Sequence, residues 1–265
     1  MLKKSRGIVI AFSGGVDSTF LAAAAREALG DRVLLVTATS PTYPSREQAE
    51  AVRLARLLRI RQIVVESNEL EIPGFAKNPV NRCYHCKKEL FKIVRRIARK
   101  EGFTLIADGS NADDLGDYRP GRKAAKELGV HSPLMEAGLR KEDIRRFSRT
   151  LRLPTADKPS FACLASRFPY GSTITDAKLK AVDALETEAR RLGFKQVRVR
   201  HHGDVARIEV EQNSIPRLVA PRIRSALLKA ARAAGFTYIA ADLAGYRTGS
   251  MNEGLGSWQL QRHRG

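Results

Sequence analysis

A short turn near the start of the chain combines the residue types that bind phosphate. Residues 8–18 read Ile-Val-Ile-Ala-Phe-Ser-Gly-Gly-Val-Asp-Ser, where an apolar run ends abruptly at Ser13 and an amphipathic helical pattern follows. This order predicts a buried parallel strand, a tight turn and a helix N-terminus, whose free backbone N–H groups and dipole attract anions. Because Gly14 and Gly15 have no side chains, the backbone can approach the anion closely. The segment therefore predicts a phosphate-binding loop.

Three polar side chains of the same turn add hydrogen-bond donors and a carboxylate. The hydroxyls of Ser13 and Ser18 can donate to phosphate oxygens, and Asp17 can orient Mg²⁺ or the N-terminal amides. The glycines are not followed by the Gly-Lys-Ser/Thr of a P-loop kinase, and they lack the Gly-x-Gly-x-x-Gly spacing of a dinucleotide site. A plain glycine-rich turn without a ligand is the alternative.

The six residues from Ser13 to Ser18 resemble the Ser-Gly-Gly-x-Asp-Ser signature of the PP-loop ATP pyrophosphatase family. The resemblance implies that ATP is bound through its three phosphates and cleaved between the α and β phosphates, so that a substrate is adenylated and pyrophosphate leaves. The ATP site should include this loop and the ends of neighbouring strands, and Lys88 and Arg122 are further candidates for phosphate contact. The expected ATP-binding residues are Ala11, Ser13, Gly14, Gly15, Asp17, Ser18, Ala38, Gly109, Lys88 and Arg122.

The chain has three cysteines, Cys83, Cys86 and Cys163, and this odd number argues against a disulfide framework. Cys83 and Cys86 form a Cys-x-x-Cys pair that enters a predicted helix beside a basic stretch, which favours thiolates. Cys163 lies in a loop between two predicted domains. A zinc site, a redox pair, buried inert thiols and a three-cysteine iron–sulfur cluster with one open iron are all compatible with these residues.

Four further blocks resemble the LarE-type ATP-dependent sulfurtransferases of the PP-loop superfamily. They are residues 81–91, residues 108–114 with 117–121, residues 163–171 and residues 197–210. The resemblance implies adenylation of the carboxylates of pyridinium-3,5-biscarboxylic acid mononucleotide and their conversion to thiocarboxylates. The product is a precursor of the nickel-pincer nucleotide cofactor of lactate racemase.

The resemblance also implies a source of sulfur. Some members of the family sacrifice the sulfur of one cysteine, which aligns with Cys163, and others hold a 4Fe–4S cluster on three cysteines and deliver sulfide from its open iron. This chain has all three cysteines and so resembles the cluster-using branch, with Cys83, Cys86 and Cys163 as cluster ligands and catalytic residues. Sacrifice of Cys163 is the alternative. A donor of sulfide or of carried sulfur is the implied partner.

A mononucleotide substrate needs a second anion site. Arg198 and Arg200 stand two residues apart on a predicted strand and so share a face, and paired arginines suit a phosphate. Arg167 follows Cys163 by four residues and could join them. Solvated strand arginines are the alternative. Glu186 and Glu209, together with Glu211, could form a metal-binding or structural acidic cluster, and His201-His202 suggests a hairpin turn with exposed histidines.

The formal net charge of +19 and the isoelectric point near 10.3 favour anionic partners such as ATP, a nucleotide-like substrate or RNA. Aromatic residues make up 6% of the chain and form no stacking platform, which disfavours a dedicated RNA-binding module. A PP-loop tRNA thiolase is nevertheless the second candidate. An ATP-dependent amidase or amide synthetase and a non-catalytic nucleotide-binding regulator are weaker alternatives.

The N-terminus is basic but leads into a strand rather than a signal sequence, and no apolar run reaches the length of a membrane span. A cytoplasmic protein without a membrane partner is expected. The family resemblance suggests a homo-oligomer.

The candidate site residues lie within a sequence in which strand and helix patterns alternate. These patterns predict an α/β fold with a doubly wound parallel sheet over residues 1–155, in which the ligand lies at the carboxyl ends of the strands. A smaller α+β domain for substrate binding or oligomerisation is expected over residues 160–265. The predicted strands are 8–12, 33–38, 62–66, 104–108, 196–200, 205–210 and 238–243, and the predicted helices are 18–29, 46–58, 86–101, 124–128, 141–150, 176–192 and 215–234.

Overall fold

A computed structural model describes residues 5–115, 120–159, 162–247 and 249–253. The chain divides into two compact units. The first comprises the described residues of Met1–Asn68 and Asn81–Phe161, and the second those of Glu69–Val80 and Ala162–His263. The short segment 69–80 therefore leaves the first unit between a strand and a helix and packs in the second, which the sequence pattern did not indicate.

The first unit contains a parallel sheet of four strands in the order β3-β2-β1-β4. Helices connect successive strands, as the alternating pattern predicts, and the expected doubly wound α/β fold is confirmed. The strands are β1 (Ile8–Ala11), β2 (Val33–Thr39), β3 (Arg61–Glu66) and β4 (Leu105–Ala107). The helices are α1 (Val16–Leu29), α2 (Ser45–Leu57), α3 (Arg82–Lys100), α4 (Gly121–Glu127), α5 (Pro133–Glu136) and α6 (Lys141–Thr150).

Strand β1 and most of β2 and β4 are buried on both faces, which explains why these strands are almost entirely apolar, whereas the edge strand β3 is partly exposed. Ile8 and Ile10 of β1 pack with α1, α2, α5 and α6 on one face. Val9, which points the other way, packs with Phe91 and Val94 of α3 and with α4. The two-residue alternation of the strands thus divides the core into two layers.

The crevice at the carboxyl end of the sheet lies between β1 and β4. The chain runs outward from β1 through β2 to β3 and then returns to β4 on the other side, so connections leave these neighbours in opposite directions. The loops after the two strands meet there. A Cβ added to Gly109 would lie only 2.9 Å from the backbone nitrogen of Ser18, so only a glycine permits this approach.

The second unit contains a three-stranded sheet in the order β5-β6-β7. Strand β5 (Val197–His202) pairs antiparallel with β6 (Val205–Val210), and β7 (Tyr238–Ala241) pairs parallel with β6. Helices α7 (Asp176–Arg191), α8 (Ile215–Leu218) and α9 (Pro221–Ala233) complete the unit. Segment 69–80 is tied in by its backbone, since Asn78 O accepts from Gly171 N and Ala76 O accepts from Ile174 N.

Several element boundaries differ from the sequence-based expectations, and three of the differences change how the site is built. Helix α3 begins at Arg82 rather than Cys86, so its first turn contains both cysteines. The expected helix 215–234 is divided before Pro221, whose ring and missing N–H start a new helix. Strand β5 continues through His202, so the two histidines end a strand, and the His201 ring packs against Phe168 and Phe236.

No helix in the described part of the chain is both long enough and apolar enough to cross a membrane.

Candidate active site

The phosphate-binding loop predicted from the sequence forms a tight cradle at the N-terminus of α1. Gly15 precedes the helix without a side-chain cap from the described residues, so the first-turn N–H groups face the loop. The Oγ atoms of Ser13 and Ser18 lie 3.2 Å apart beside these groups. Gly14 has φ +65°, and a Cβ there would lie 3.0 Å from Ala51 Cα of α2. The cradle therefore requires glycine at this position for both conformation and space.

Two side chains from outside the loop donate hydrogen bonds to its backbone carbonyl oxygens. Tyr43 donates its hydroxyl hydrogen to Ser13 O. Lys158 donates from Nζ to Gly14 O at 3.1 Å and pairs with Glu47 at 2.7 Å. Neither Tyr43 nor Lys158 is predicted from the sequence, because nothing in their local pattern connects them with a loop far away along the chain.

Asp17 brings the loops after β1 and β4 together. Its Oδ1 accepts from Asn111 Nδ2 at 3.3 Å, and its Oδ2 lies 2.5 Å from Nζ of Lys141 at the start of α6. Asp108, which follows β4, is buried and accepts from the hydroxyls of Ser110 and Ser132 at 2.8 Å each. Asp17 is thus the partly exposed carboxylate beside the cradle, and its oxygens are the donor type that Mg²⁺ prefers.

The other expected ATP-binding residues divide into two groups. Ala11 ends β1, Ala38 lies near the end of β2 and Gly109 follows β4, so all three lie at the carboxyl edge of the sheet. Lys88 of α3 instead donates to Tyr84 OH at 2.9 Å and lies 3.5 Å from Glu127 of α4. The hydrogen bond with Tyr84, helped by Glu127, raises the pKa of Lys88.

Arg122 of α4 donates to Asp114 O at 3.4 Å. The contacts of Lys88 and Arg122 with the described residues thus join α3, α4 and the segment after β4, while Lys141 and Lys158 contact the cradle itself. The second sequence block of the family resemblance includes residues 117–119, which lie outside the described residues.

The cysteines are divided between the two units. Cys83 is exposed and Cys86 half-buried, and their spacing places both thiols on one side of the first turn of α3 in the first unit. Cys163 is half-buried in the second unit, immediately before a short 3₁₀ turn at Leu164–Arg167. All three are described and none forms a disulfide. Thiolates at this spacing are soft donors that suit two irons of one cluster.

Carboxylates and imidazoles offer no separate metal centre in the described ranges. There, no three His, Cys, Asp or Glu side chains are grouped so as to hold a metal ion.

Buried arginines and glutamates form a network in the second unit. Arg167 is fully buried and donates to Glu186 from Nε at 2.8 Å and from Nη2 at 3.1 Å. Its Nη1 donates to Cys163 O at 3.1 Å, which connects the network to the cysteine. Glu186 also accepts from Arg190 at 2.8 Å and from the backbone N–H of Val199 at 3.1 Å.

Arg198 and Arg200 share one face of β5, as the two-residue spacing predicts, and both are about 5% exposed. Arg200 donates to Glu209 at 2.6 Å and to Ser166 O at 3.0 Å, and Arg207 also donates to Glu209 at 3.1 Å. Arg198 and Arg200 are buried, so the alternative of solvated strand arginines does not apply to these two residues. Glu186 and Glu209 are each paired with arginines rather than grouped with other carboxylates.

Burial and the neighbouring charges shift the pKa values of two members of the network. Burial by itself would raise the pKa of Glu186, but the charge and hydrogen bonds of Arg167, with Arg190, outweigh it and lower that pKa to about 2. Burial and repulsion from Arg167 lower the pKa of Arg198 to about 10. The Nε atoms of Arg200 and Arg207 are buried without a hydrogen-bond partner among the described residues. A further anion would satisfy charge and hydrogen bonds together.

Comparison with known proteins identifies the family. The NAD synthase family model matches residues 2–92, which contain the cradle. A pyridinium-3,5-bisthiocarboxylic acid mononucleotide synthase of Lactiplantibacillus plantarum is 36% identical over 260 residues, covering 98% of this chain and 94% of that protein. An uncharacterised protein of Synechocystis is 43% identical over 247 residues, covering 93% and 92%. One chain of a glutamine-hydrolysing GMP synthase of Methanosphaerula palustris is 25% identical over 157 residues, covering 56% and 51%.

The similarity to the synthase of L. plantarum extends over both units, and the family resemblance seen in the sequence motifs is confirmed. The chain belongs to the LarE-type family of PP-loop ATP-dependent sulfurtransferases.

Proposed function

We propose that this sulfurtransferase adenylates the carboxylates of pyridinium-3,5-biscarboxylic acid mononucleotide and converts them to thiocarboxylates. The substrate follows from the printed name of the L. plantarum relative. The structural observation that best supports the assignment is the arginine network, in which Arg167 donates to the backbone O of Cys163 and the Nε atoms of Arg200 and Arg207 lack a hydrogen-bond partner among the described residues. A phosphate group and a sulfur atom would be handled in the same unit.

The cradle would perform the activation step. A carboxylate is a poor electrophile until one of its oxygens becomes a good leaving group, and adenylation provides this. Ser13, Gly14, Gly15 and Ser18 would hold the phosphates of the MgATP substrate through N–H and hydroxyl groups. Asp17 would orient the Mg²⁺ that accompanies ATP, and Lys141 would then be released from Asp17 to offset phosphate charge.

The arginine network would bind the phosphate of the mononucleotide. Six arginines and four carboxylates are linked there by ion pairs or by close charges, which leaves two positive charges, enough to balance a phosphate dianion. They are Arg167, Arg190, Arg198, Arg200, Arg207, Arg247, Glu186, Glu209, Asp242 and Glu253. Glu186 and Glu209 would thus act as partners of the arginines, in place of the metal-binding role considered from the sequence.

Sulfur delivery would use the three cysteines. Cys83 and Cys86 provide two thiolates from one helical turn, and Cys163 provides a third. A 4Fe–4S cluster held by three thiolates would supply sulfide at its open iron, refilled by a donor of sulfide or carried sulfur. The competing route is loss of the Cys163 sulfur itself. A homo-oligomer also stays a prediction.

Anaerobic incubation with MgATP and the pyridinium dicarboxylate, followed by mass analysis of the product and of the protein, tests the proposal. Release of pyrophosphate with a thiocarboxylate product is expected. Brown protein that loses both colour and turnover after Cys83→Ala, Cys86→Ala or Cys163→Ala would support the cluster route. Colourless active protein whose Cys163 loses the mass of H₂S would establish the sacrificial route. Thionucleoside formation in tRNA, with no thiocarboxylate product, would refute the substrate assignment.

A further inference from the structure

We propose that Lys158 and Tyr43 are positioning residues that aim two backbone N–H groups of the ATP loop at the phosphates. The inference rests on the proposed ATP-splitting function and deepens it. Neither residue belongs to the loop or follows it directly in sequence. Both contact it through backbone carbonyl oxygens, Tyr43 at Ser13 O and Lys158 at Gly14 O.

A hydrogen bond that fixes the direction of a carbonyl group also fixes the direction of the N–H group in the same peptide unit. A trans peptide is planar, and its C=O and N–H bonds point in opposite directions. A donor that holds Ser13 O therefore directs Gly14 N–H to the other side of the loop, and a donor that holds Gly14 O does the same for Gly15 N–H. The observed Gly15 N–H agrees, since it points toward Ser13 Oγ at 3.4 Å, on the hydroxyl side of the cradle.

Residues outside the loop must fix the orientation of its peptides, because glycine does not restrict the backbone to one conformation. Gly14 has φ +65°, and glycine populates many backbone conformations, so the orientation of these peptides depends on what holds them. Backbone donors stabilise a developing charge most effectively when they are oriented before the reaction begins. A cationic donor on the carbonyl also polarises the peptide, which strengthens the N–H on its other side.

Lys158 is itself held firmly in the first unit. Its side chain is 17% exposed and pairs with Glu47, which is 10% exposed. Its backbone O accepts from Nη2 of Arg145 in α6 at 2.8 Å, and Nη1 of the same arginine holds Ala156 O at 2.6 Å. Helix α6 thus contacts the cradle region at both Asp17, through Lys141, and Lys158, through Arg145.

Tyr43 is equally suited to a fixed donor role. Burial, and secondarily the charge of Glu47, raises the pKa of its hydroxyl, which keeps the proton in place at neutral pH.

The test uses variants that distinguish the orientation of the loop N–H groups from the stabilising effect of the Lys158–Glu47 ion pair. The double variant Lys158→Met/Glu47→Gln removes both members of the ion pair, so no buried carboxylate is left without its partner. We expect pyrophosphate formation to fall about tenfold or more, below the roughly 10²–10³ that loss of a whole oxyanion donor produces, because the N–H groups persist but are no longer aimed. KM for ATP should rise, and KM for the pyridinium substrate should stay unchanged.

Three further variants complete the design. Lys158→Arg keeps a cationic donor and should recover most of the activity, and Tyr43→Phe, which removes one hydroxyl, should lower the rate in the same way. Lys180→Met is the matched control, since Lys180 is 77% exposed and pairs only with Asp176 on α7 among its described ion pairs. Thermal unfolding of each variant confirms that it is folded.

Unchanged ATP kinetics in both the double variant and Tyr43→Phe would overturn the inference while leaving the proposed function intact. A native chain that releases no pyrophosphate with the pyridinium dicarboxylate would refute the proposed function, and the inference with it.

Discussion

At the scale of single residues, two fully buried carboxylates organise the second unit. Glu186 is held by Arg167 and Arg190, and Glu209 by Arg200 and Arg207. Desolvation of such charges is compensated only by close partners, and removal of one member leaves the others buried without compensation. The same pairs that stabilise the unit therefore hold the arginines in place for an anion.

Glu186→Gln should lower the free energy of unfolding by about 3 kcal/mol, because the fully buried Arg167 and the partly buried Arg190 lose their counter-charge. The effect should depend on pH. The pKa of Glu186 is lowered from 4.5 to about 2 in the folded chain, so its contribution is complete above about pH 4.5 and is lost as pH falls toward 2. Urea denaturation at several pH values measures both effects.

The control for this measurement is Glu188→Gln on the same helix, because Glu188 pairs with Arg191, which is 69% exposed. Surface pairs contribute little, so a change under about 0.5 kcal/mol is expected. Equal losses in the two variants would contradict the structural role given to Glu186.

At the scale of elements, the cradle depends on how closely the loop approaches helix α2. Gly14 and Gly129 both have φ +65°, but of these two only Gly14 has a described neighbour within 4 Å of an added Cβ, namely Ala51 at 3.0 Å from its Cα. Substitution of Gly129 therefore tests backbone strain alone, whereas substitution of Gly14 tests strain together with a steric clash. Strain alone at a left-handed position is worth about 1–2 kcal/mol.

Gly14→Ala should abolish ATP-dependent pyrophosphate release, because the loop must move off α2 to admit the methyl group. Gly129→Ala should lower stability by about 1–2 kcal/mol and leave KM for ATP unchanged. Isothermal titration with MgATP and urea denaturation distinguish these outcomes. Normal ATP binding by folded Gly14→Ala would show that the loop is not the phosphate site.

At the scale of the whole molecule, the two units are joined by more than one crossing of the chain. Segment 69–80 leaves the first unit after β3 and packs in the second. Asn78 is fully buried there, and its Nδ2 donates to Phe168 O at 3.2 Å and to Pro169 O at 2.7 Å. The second unit is therefore not a contiguous stretch of sequence.

A chain that begins at residue 162 should consequently lack a cooperative unfolding transition, because it has no segment 69–80. In the full-length protein, Asn78→Ala should destabilise the second unit by about 1–3 kcal/mol, since one buried and one partly buried carbonyl lose their donor. Circular dichroism and hydrogen exchange measure the two effects. Cooperative unfolding of the shortened chain would show that the segment is dispensable.

The sequence alone determined the features that depend on local patterns. The apolar run before Ser13 and the glycines after it specify a strand, a turn and a helix start, because periodicity and backbone freedom act over a few residues. The spacing of Arg198 and Arg200 likewise places them on one face of β5. The motifs identified the family, and the similarity to its members agrees.

Only the tertiary structure decided which distant residues meet. It placed Lys158 and Tyr43 behind the loop, Lys141 on Asp17, and Arg167 on Glu186, and it directed the contacts of Lys88 and Arg122 to α3, α4 and the segment after β4. Most of these contacts join residues far apart in sequence, so no local period or spacing encodes them. They arise because parallel strands bring their carboxyl ends to one edge and because buried charges must find partners wherever the chain supplies them.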